Sequence, residues 1–211
     1  MTINVIPRNG MVNNKTLDVF IKKFWQALCP VPKDDNPAWQ NNGNKDGPFN
    51  SNINEDLYML CFSRNPQTTV TRNIHVPNNK GLFIPVMSVV VSACETTGNL
   101  ITIANKDQTS INPPSISIEL DGMPVTHNNY RFNAADLGTF EVSFPYQKEA
   151  IFDIPNNSGS CNAVAAGIYV WTNPLSPGQH TVHFTGNLLC TPPNCIDTNY
   201  SENITYNITV P

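Results

Sequence analysis

The spacing of apolar residues changes along the chain, from a helical period near the start to a strand period after residue 51. Near the start, apolar side chains recur every three or four positions, which places them on one face of a helix. Asn14 or Thr16 can cap this helix, and Cys29-Pro30 ends it because a residue before proline avoids helical geometry. The pattern predicts an amphipathic helix over residues 14–29, with Leu17, Phe20, Ile21, Phe24, Trp25 and Leu28 on its apolar face.

The polar face of this helix indicates whether the helix packs on a membrane or on the rest of the protein. An amphipathic helix with large aromatic residues can lie on a membrane surface when its polar face is strongly basic. Here that face carries only Lys22 and Lys23. We therefore expect the helix to pack on the rest of the protein.

Residues 30–51 are rich in Pro, Gly and Asn, which predicts a long loop. The stretch from Asn42 to Gly47 partly resembles a calcium-binding loop, where oxygen ligands alternate before a glycine. The match then fails, because Asn42 stands where the first ligand is Asp and Ile53 stands where a bidentate Glu is needed. A turn-rich loop is the preferred interpretation.

After residue 51 the chain is made of short segments rich in β-branched and aromatic residues, separated by Asn, Pro and Gly. Such strands at near-regular spacing predict a mainly-β fold: a two-sheet antiparallel sandwich, immunoglobulin-like or jelly-roll-like, with one N-terminal amphipathic helix. Residues 1–211 are expected to form one such domain. The expected strands are 56–63, 70–76, 82–91, 115–120, 123–125, 130–132, 139–144, 163–172, 180–185 and 204–210.

The low content of charged residues limits the classes of partner that the chain is expected to bind. Only 13% of residues are charged, the net charge is −4, and no run of Lys or Arg exists, so nucleic acid is not an expected partner. The longest apolar stretch, residues 81–93, contains Pro85 and Ser88 and is too short to span a bilayer. We expect no membrane insertion.

The six cysteines indicate whether the protein resides in an oxidising or a reducing compartment. They lack Cys-x-x-Cys pairs and zinc-finger spacing, so scattered disulfides in an oxidising compartment are the first interpretation, and six reduced, buried thiols are the alternative. Only the pair Cys190–Cys195 is predicted locally, because two prolines hold its short ring. The sequons at Asn14, Asn156, Asn199, Asn203 and Asn207 follow from the Asn-rich composition, and the N-terminus lacks the pattern of a signal peptide.

Several segments together resemble a known family. They are the aromatic helix with Phe24-Trp25, the Val70–Pro77 and Lys80–Pro85 strands, Glu95, the Asp121-Gly122 hairpin, Ala166–Val170 and the stretch Pro-Leu-Ser-Pro-Gly-Gln-His-Thr at 174–181. Over residues 24–186 the chain resembles a family of uncharacterised secreted bacterial-type proteins that form immunoglobulin-like all-β sandwiches. The resemblance implies an extracellular or cell-surface location and brings no activity with it.

Candidate chemistry is sparse. His180 and His183 are three apart in a strand, so they point to opposite faces and cannot share a metal ion; no metal site and no cofactor is expected. Arg72 and Glu95 are expected to form a buried ion pair or to line a polar pocket. His180 is expected to be hydrogen-bonded at the entry of its strand.

Three functional hypotheses follow. The leading one is a non-catalytic extracellular module that binds a glycan or a protein, with Trp39 and Trp171 as stacking platforms, or that self-associates through the C-terminal strand 204–210. The second is a hydrolase on a sandwich scaffold, which requires the side chains of Arg72, Glu95 and His180 in one cleft. The third is a structural protein of a particle or an inclusion.

Overall fold

The computed structural model describes residues 3–53, 55–64, 69–109, 115–145, 159–188 and 200–211, and it contains two β-sheets with four α-helices in these ranges. The first sheet has the order β1-β3-β8-β6, with β7 also beside β8; the second has the order β2-β10-β9-β4-β5. The strands are β1 Leu57–Met59, β2 Thr69–His75, β3 Gly81–Ser92, β4 Ser117–Leu120, β5 Met123–Pro124, β6 Arg131–Phe132, β7 Phe140–Ser143, β8 Ser160–Trp171, β9 Gly178–Leu188 and β10 Tyr200–Val210. The helices are α1 Leu17–Leu28, α2 Asp46–Ile53, α3 Leu100–Thr109 and α4 Ala134–Leu137.

The predicted mainly-β, two-sheet sandwich is confirmed, and its sheets are mixed. The pairs β3–β8, β9–β10 and β4–β9 run antiparallel, as expected. Two pairs run parallel: β1 with β3, and β2 with β10. The sheets approach each other closely at Gly186 of β9, where a Cβ atom would lie only 2.5 Å from Cε of Met87 in β3.

The predicted amphipathic helix is present as α1. All six of its predicted apolar side chains are buried. Phe24 packs edge-on or tilted against Phe49, Phe62 and Phe83, and the Trp25 indole donates a hydrogen bond to the hydroxyl of Tyr169 in β8 (3.1 Å). The helix is thus fixed to the core by its aromatic side, and it docks on the sandwich as expected.

The prediction of a long loop over 30–51 is wrong in part, because this segment contains α2 and two short 3₁₀ helices, Lys33–Asp35 and Pro37–Trp39. Asn36 organises the turn between α1 and α2. Its side chain donates to the carbonyls of Leu28 and Val31 and accepts from the backbone N–H of Ala38. Through these bonds, backbone groups between α1 and α2 find hydrogen-bond partners inside the protein.

Two further helices, α3 and α4, are absent from the sequence prediction. Both pack on the first sheet, where a second apolar cluster forms from Val91, Ala104, Ala134, Val164 and Ala166. Most of these residues are small, and α3 carries only a weak apolar stripe, so the periodicity does not reveal it. None of the described helices is long and apolar enough to cross a membrane.

Among the described residues, a disulfide joins Cys94, after β3, to Cys161 in β8, across neighbouring strands. Cys29 and Cys61 are buried free thiols, and burial raises the pKa of both. The expectation of disulfides therefore holds for one pair and the alternative of buried thiols for two cysteines. The predicted Cys190–Cys195 ring lies outside the described residues.

Candidate functional site

Arg72 is the centre of a buried polar cluster. It lies on the inner side of β2 and is fully buried. Its guanidinium donates to the backbone carbonyls of Cys61 and Phe62 after β1, and to those of Pro37 and Gln40 from the segment before α2 (2.8 and 2.7 Å). The guanidinium therefore ties two irregular segments to the second sheet.

Among the described residues, Arg72 pairs with the carboxylate of Asp46 and not with that of Glu95 as predicted. Asp46 Oδ1 lies 3.7 Å from Arg72 Nη1, and both side chains are fully buried. The hydroxyl of Tyr206, the β10 residue directly beside Arg72, donates to Asp46 Oδ1 (3.1 Å) and accepts from Arg72. Asp46, the one carboxylate in the stretch from Asn42 to Gly47, is therefore held inside the protein by Tyr206 and Arg72.

Glu95 has a local role at the end of β3. Its Oε2 accepts hydrogen bonds from the backbone N–H (2.9 Å) and the hydroxyl (2.6 Å) of Ser92, next to the Cys94–Cys161 disulfide. The carboxylate thereby closes a tight turn. The predicted Arg72–Glu95 ion pair is wrong because each residue is engaged elsewhere.

His180 is held at the start of β9. Its Nδ1 lies 2.8 Å from Asp121 Oδ2, and its Nε2 lies 2.9 Å from the carbonyl oxygen of Ser176. Asp121 sits at positive φ in the β4–β5 hairpin and also accepts from the backbone N–H of Thr181. The histidine thus links the hairpin to the turn before β9.

The three residues of the hydrolase hypothesis do not share a cleft. Arg72 is sealed in the core, and His180 lies two strands away from it in the same sheet. Glu95 is bound to Ser92 at the end of the other sheet. At these positions the three side chains do not combine a nucleophile, a base and a place for a substrate. In the described ranges, no group of His, Cys, Asp and Glu could hold a metal ion.

The two tryptophans differ in access. Trp171 is fully buried, donates to the carbonyl of Pro7 (3.0 Å) and packs edge-on against Phe20, so it is not available as a stacking platform. Trp39 is half-buried, and the ammonium of Lys33 lies 4.6 Å from its ring centroid. One face of Trp39 is therefore already covered.

The C-terminal strand is not a free edge. Expected as 204–210 and found as β10, it lies between β2 and β9 and pairs with both along most of its length. Because both rows of its backbone groups are engaged, it cannot add to the sheet of a second copy. Self-association through this strand is excluded.

The outward side of the second sheet carries a different kind of surface, which we call the neutral polar face. Along β2, β9, β10 and β4, buried inward side chains alternate with exposed or half-buried polar ones. The outward set contains one carboxylate, that of Glu119, and no Lys, Arg, aliphatic or aromatic side chain. Its members are Thr69, Thr71, Asn73, His75, Ser117, Glu119, Gln179, Thr181, His183, Thr185, Asn187, Ser201, Asn203, Thr205, Asn207 and Thr209.

Strand register arranges the neutral polar face in rows. Thr71, Thr205, His183 and Glu119 are direct neighbours across four strands, and the next row is formed by Thr69, Asn203, Thr185 and Ser117. Neighbouring strands lie about 4.8 Å apart, and successive outward residues on a strand about 6.7 Å apart. The result is a regular grid of hydroxyl, amide and imidazole groups.

Hydrogen bonds between strands fix this grid. Asn207 donates to Asn73 (2.9 Å), His183 Nε2 lies 2.9 Å from the amide oxygen of Asn203, and the hydroxyls of Ser117 and Thr185 are 2.8 Å apart. Two hollows open on the face. One of about 500 Å³ is lined by Gln179 and Thr181 together with the carboxylates of Glu119 and Asp121. The other, of about 350 Å³, is lined by Asn187 and Ser201 and reaches the buried carboxyl of Glu202.

The sequence reasoning missed this surface although the signal was present. The alternation of apolar and polar residues predicts the strands, and its apolar positions identify the side chains that point inward. The outward positions of the same segments, for example Thr69, Thr71 and Asn73 in TVTRNIH, are uniformly polar and uncharged. Their alignment into rows depends on which strands are neighbours, and the sequence does not give that.

A separate groove lies between α1 and α2, and we call it the α1–α2 groove. Its volume is about 710 Å³, and its apolar lining comes from Ala27, Val31, Pro48, Phe49 and Ile53. Ion pairs border it: Lys23 with Glu55, and Lys45 with Asp35 (2.7 Å). The lining belongs to residues 23–55, apart from every strand of the neutral polar face.

Beneath the neutral polar face, Glu202 of β10 is an inward, buried carboxyl, 4% exposed. Its Oε2 accepts from the hydroxyl of Tyr200 (3.3 Å), and among the described residues its Oε1 has no hydrogen-bond partner. Burial raises the pKa of Glu202 well above its ordinary value, against smaller opposing effects from the Ser63 N–H and Tyr200. Burial likewise raises the pKa of Asp46 to about 6, although Arg72 opposes it.

These shifts predict that stability falls as pH rises. Between the unfolded and folded pKa values the native carboxyl keeps a proton that the unfolded chain releases, so each group lowers the free energy of unfolding by up to about 1.4 kcal/mol per pH unit. For Glu202 the window begins near its unfolded pKa of 4.5 and extends upward. Urea unfolding at several pH values should show the decline, and Glu202→Gln should flatten it above about pH 6, the pKa of Asp46.

The control for this experiment is Glu119→Gln on the exposed face, which should leave the slope unchanged. Hydrogen bonds from lysines lower the pKa values of Glu55 and Asp56, although burial opposes this. These two groups change the stability only below pH 4.5 and 3.8, their ordinary pKa values. They therefore do not obscure the window of Glu202. Burial also lowers the pKa of His127 from 6.5, which acts in the opposite sense below that pH. A profile that is flat above pH 6.5 in the native protein would therefore contradict a protonated, buried Glu202.

Comparison with known proteins adds little to this geometry. No protein-family model and no curated protein matches the chain. A chain in the solved structure of PbICP-C in complex with falcipain-2 matches 74% of this chain and 100% of its own length, with 10% sequence identity and a TM-score of 0.30. A similarity of this size carries no inference about function.

Proposed function

We propose that the protein is a non-catalytic extracellular module that binds a neutral, extended glycan on the neutral polar face. The observation that carries the proposal is the grid of uncharged hydrogen-bonding groups on the second sheet, of which Glu119 alone is a carboxylate. Helices α1, α3 and α4 contact strands of the first sheet, and α2 contacts β1 and β2. Among the described residues, the outward side chains of β2, β10, β9 and β4 are exposed or half-buried.

The chemistry of the face matches a polyhydroxyl ligand. A glycan offers donors and acceptors along its length, and hydroxyl and amide side chains can act as both. Each hydrogen bond exchanges a water contact and contributes only about 0.5–1.5 kcal/mol net. A repeating ligand gains from a repeating grid, because several contacts form after one loss of translational freedom. Fixed side chains such as Asn73 and Asn207 also lose less entropy on binding.

The compartment is part of the proposal. The Cys94–Cys161 disulfide supports an oxidising environment, since such bonds are rare in the cytosol. Secreted and cell-surface proteins meet neutral polysaccharides there. Stacking on Trp39 and Trp171 is replaced in this proposal by hydrogen bonding, because Trp171 is buried.

The test is affinity electrophoresis against soluble glucans, mannans and xylans, with polygalacturonate and heparin as anionic comparisons. We expect retardation by at least one neutral polysaccharide, an affinity that increases with oligosaccharide length, and little dependence on salt because the contacts are uncharged. Retention by the anionic polymers alone, or by no polysaccharide, would contradict the proposal.

Thr205→Arg is the sharpest variant for this test. Thr205 lies in the middle of the face, directly between Thr71 and His183. An arginine there covers neighbouring groups and adds a charge, so we expect affinity to fall about tenfold or more, equivalent to one or two lost hydrogen bonds. The matched control is Thr102→Arg on the exposed side of α3, which should bind normally. Equal binding by the two variants would place the ligand elsewhere.

A further inference from the structure

The α1–α2 groove has the size and lining of a ligand site that the glycan-binding proposal does not use. Binding sites are commonly concave, a few hundred to about a thousand Å³, and mostly apolar with a small number of placed polar groups. The groove, with a volume of about 710 Å³, falls in this range. Phe49 forms part of its lining and is anchored in the core by its contact with Phe24, so the lining is preformed.

Its charges are balanced within the site. The ammonium of Lys23 is paired with Glu55, and that of Lys45 lies 2.7 Å from Asp35. Each cation at the border is therefore neutralised by an adjacent carboxylate. An anionic occupant such as a phosphate or a fatty acid would have to displace these carboxylates, so the complementary occupant is uncharged overall.

The polar groups at the border suit a polypeptide backbone. Gln26 and Asn52 both line the groove, and a side-chain amide offers two donors together with an acceptor. One donor of Gln26 is taken by the backbone carbonyl of Glu141 (3.1 Å). A peptide in an extended conformation presents N–H and C=O groups at its edges and alternates its side chains. Its apolar side chains can enter the groove while its backbone meets the amides.

We propose that the α1–α2 groove binds an extended, uncharged segment of a partner protein through two or three apolar side chains. The inference goes beyond the glycan-binding proposal and is independent of it, because the two surfaces share no residue. Tethering of that protein to a glycan is what the two proposals imply together.

The test is selection of a phage-displayed random heptapeptide library on the full chain, followed by fluorescence anisotropy with labelled synthetic copies of the enriched peptides. The expected peptides carry apolar residues at alternate positions and few charges. The variant Ala27→Arg places a charge in the apolar lining and should weaken their binding about tenfold or more, since an unpaired charge in an apolar contact is costly.

The matched control is Ala135→Arg, at an exposed position of α4, which should bind the peptides as the native protein does. Asn52→Arg, at an exposed position on the groove border, gives a second variant with little risk to folding and should also weaken binding. Thr205→Arg should leave peptide affinity unchanged, so failure of the glycan proposal and failure of this one are distinguished. Absence of enriched peptides, or peptides that bind both groove variants with native affinity, would overturn the inference.

Discussion

Replacing Arg72 by alanine is expected to lower the free energy of unfolding by about 4 kcal/mol, because removing one partner of a buried, hydrogen-bonded charge pair typically costs 3–5 kcal/mol. The change leaves Asp46 without its counter-ion in a fully buried site. It also removes the donors to four backbone carbonyls from two separate segments. Several buried acceptors would then lack a partner at once.

The same reasoning predicts that Arg72→Lys does not restore stability. A lysine ammonium is a single point of charge, whereas the guanidinium donates in several fixed directions. The bonds to the Pro37 and Gln40 carbonyls and the bond to the Cys61 carbonyl require those different directions. We therefore expect Arg72→Lys to remain well below the native protein in stability.

Urea unfolding at neutral pH measures these effects. Lys45→Ala is the control, because it breaks an ion pair with Asp35 whose side chains are 36% and 65% exposed. Exposed pairs of this kind contribute about 0–1 kcal/mol. If Arg72→Ala cost no more than Lys45→Ala, the buried cluster would not be what fastens the segment before α2 to the second sheet.

Removing the disulfide by a Cys94→Ser, Cys161→Ser double substitution should also cost about 4 kcal/mol. The bridge spans 67 residues of sequence. The loop-entropy relation gives about 4 kcal/mol for a closed loop of this length, chiefly because the unfolded chain gains freedom when it is opened. The two cysteines flank the paired ends of β3 and β8, so the native sheet can form without the bond.

Equilibrium unfolding with and without dithiothreitol tests this prediction. Reductant should lower the stability of the native protein by at least this amount and that of the double variant by less. A further loss in the reduced double variant would reveal a second disulfide, for which Cys190–Cys195 is the predicted pair. Equal stability of the native protein and the double variant in the absence of reductant would contradict the predicted contribution.

The sequence was informative where local periodicity decides the outcome. The three-to-four spacing of Phe20, Phe24 and Trp25 located α1, and the two-residue alternation located the strands. The Asp121-Gly122 hairpin was recognisable because both positions require positive φ. These features depend on residues close together in the chain.

Long-range pairings were beyond such reasoning. The sequence did not indicate that β2 would lie parallel to β10, or that Arg72 would pair with the carboxylate of Asp46 and not with that of Glu95. Both carboxylates were compatible with an ion pair, and only the tertiary fold brings one of them within reach. The neutral polar face was missed for the same reason, because its rows join Thr71, Thr205 and His183 from distant segments.

The central place of β10 in the second sheet has a consequence for how the protein is made. The strand is synthesised after every other described element, yet it separates β2 from β9 and pairs with both. Until β10 has been synthesised, β2 has neither its parallel neighbour nor the Tyr206 hydroxyl that bonds its arginine. Completion of the second sheet therefore waits for the synthesis of β10, and its long-range pairings favour slow folding.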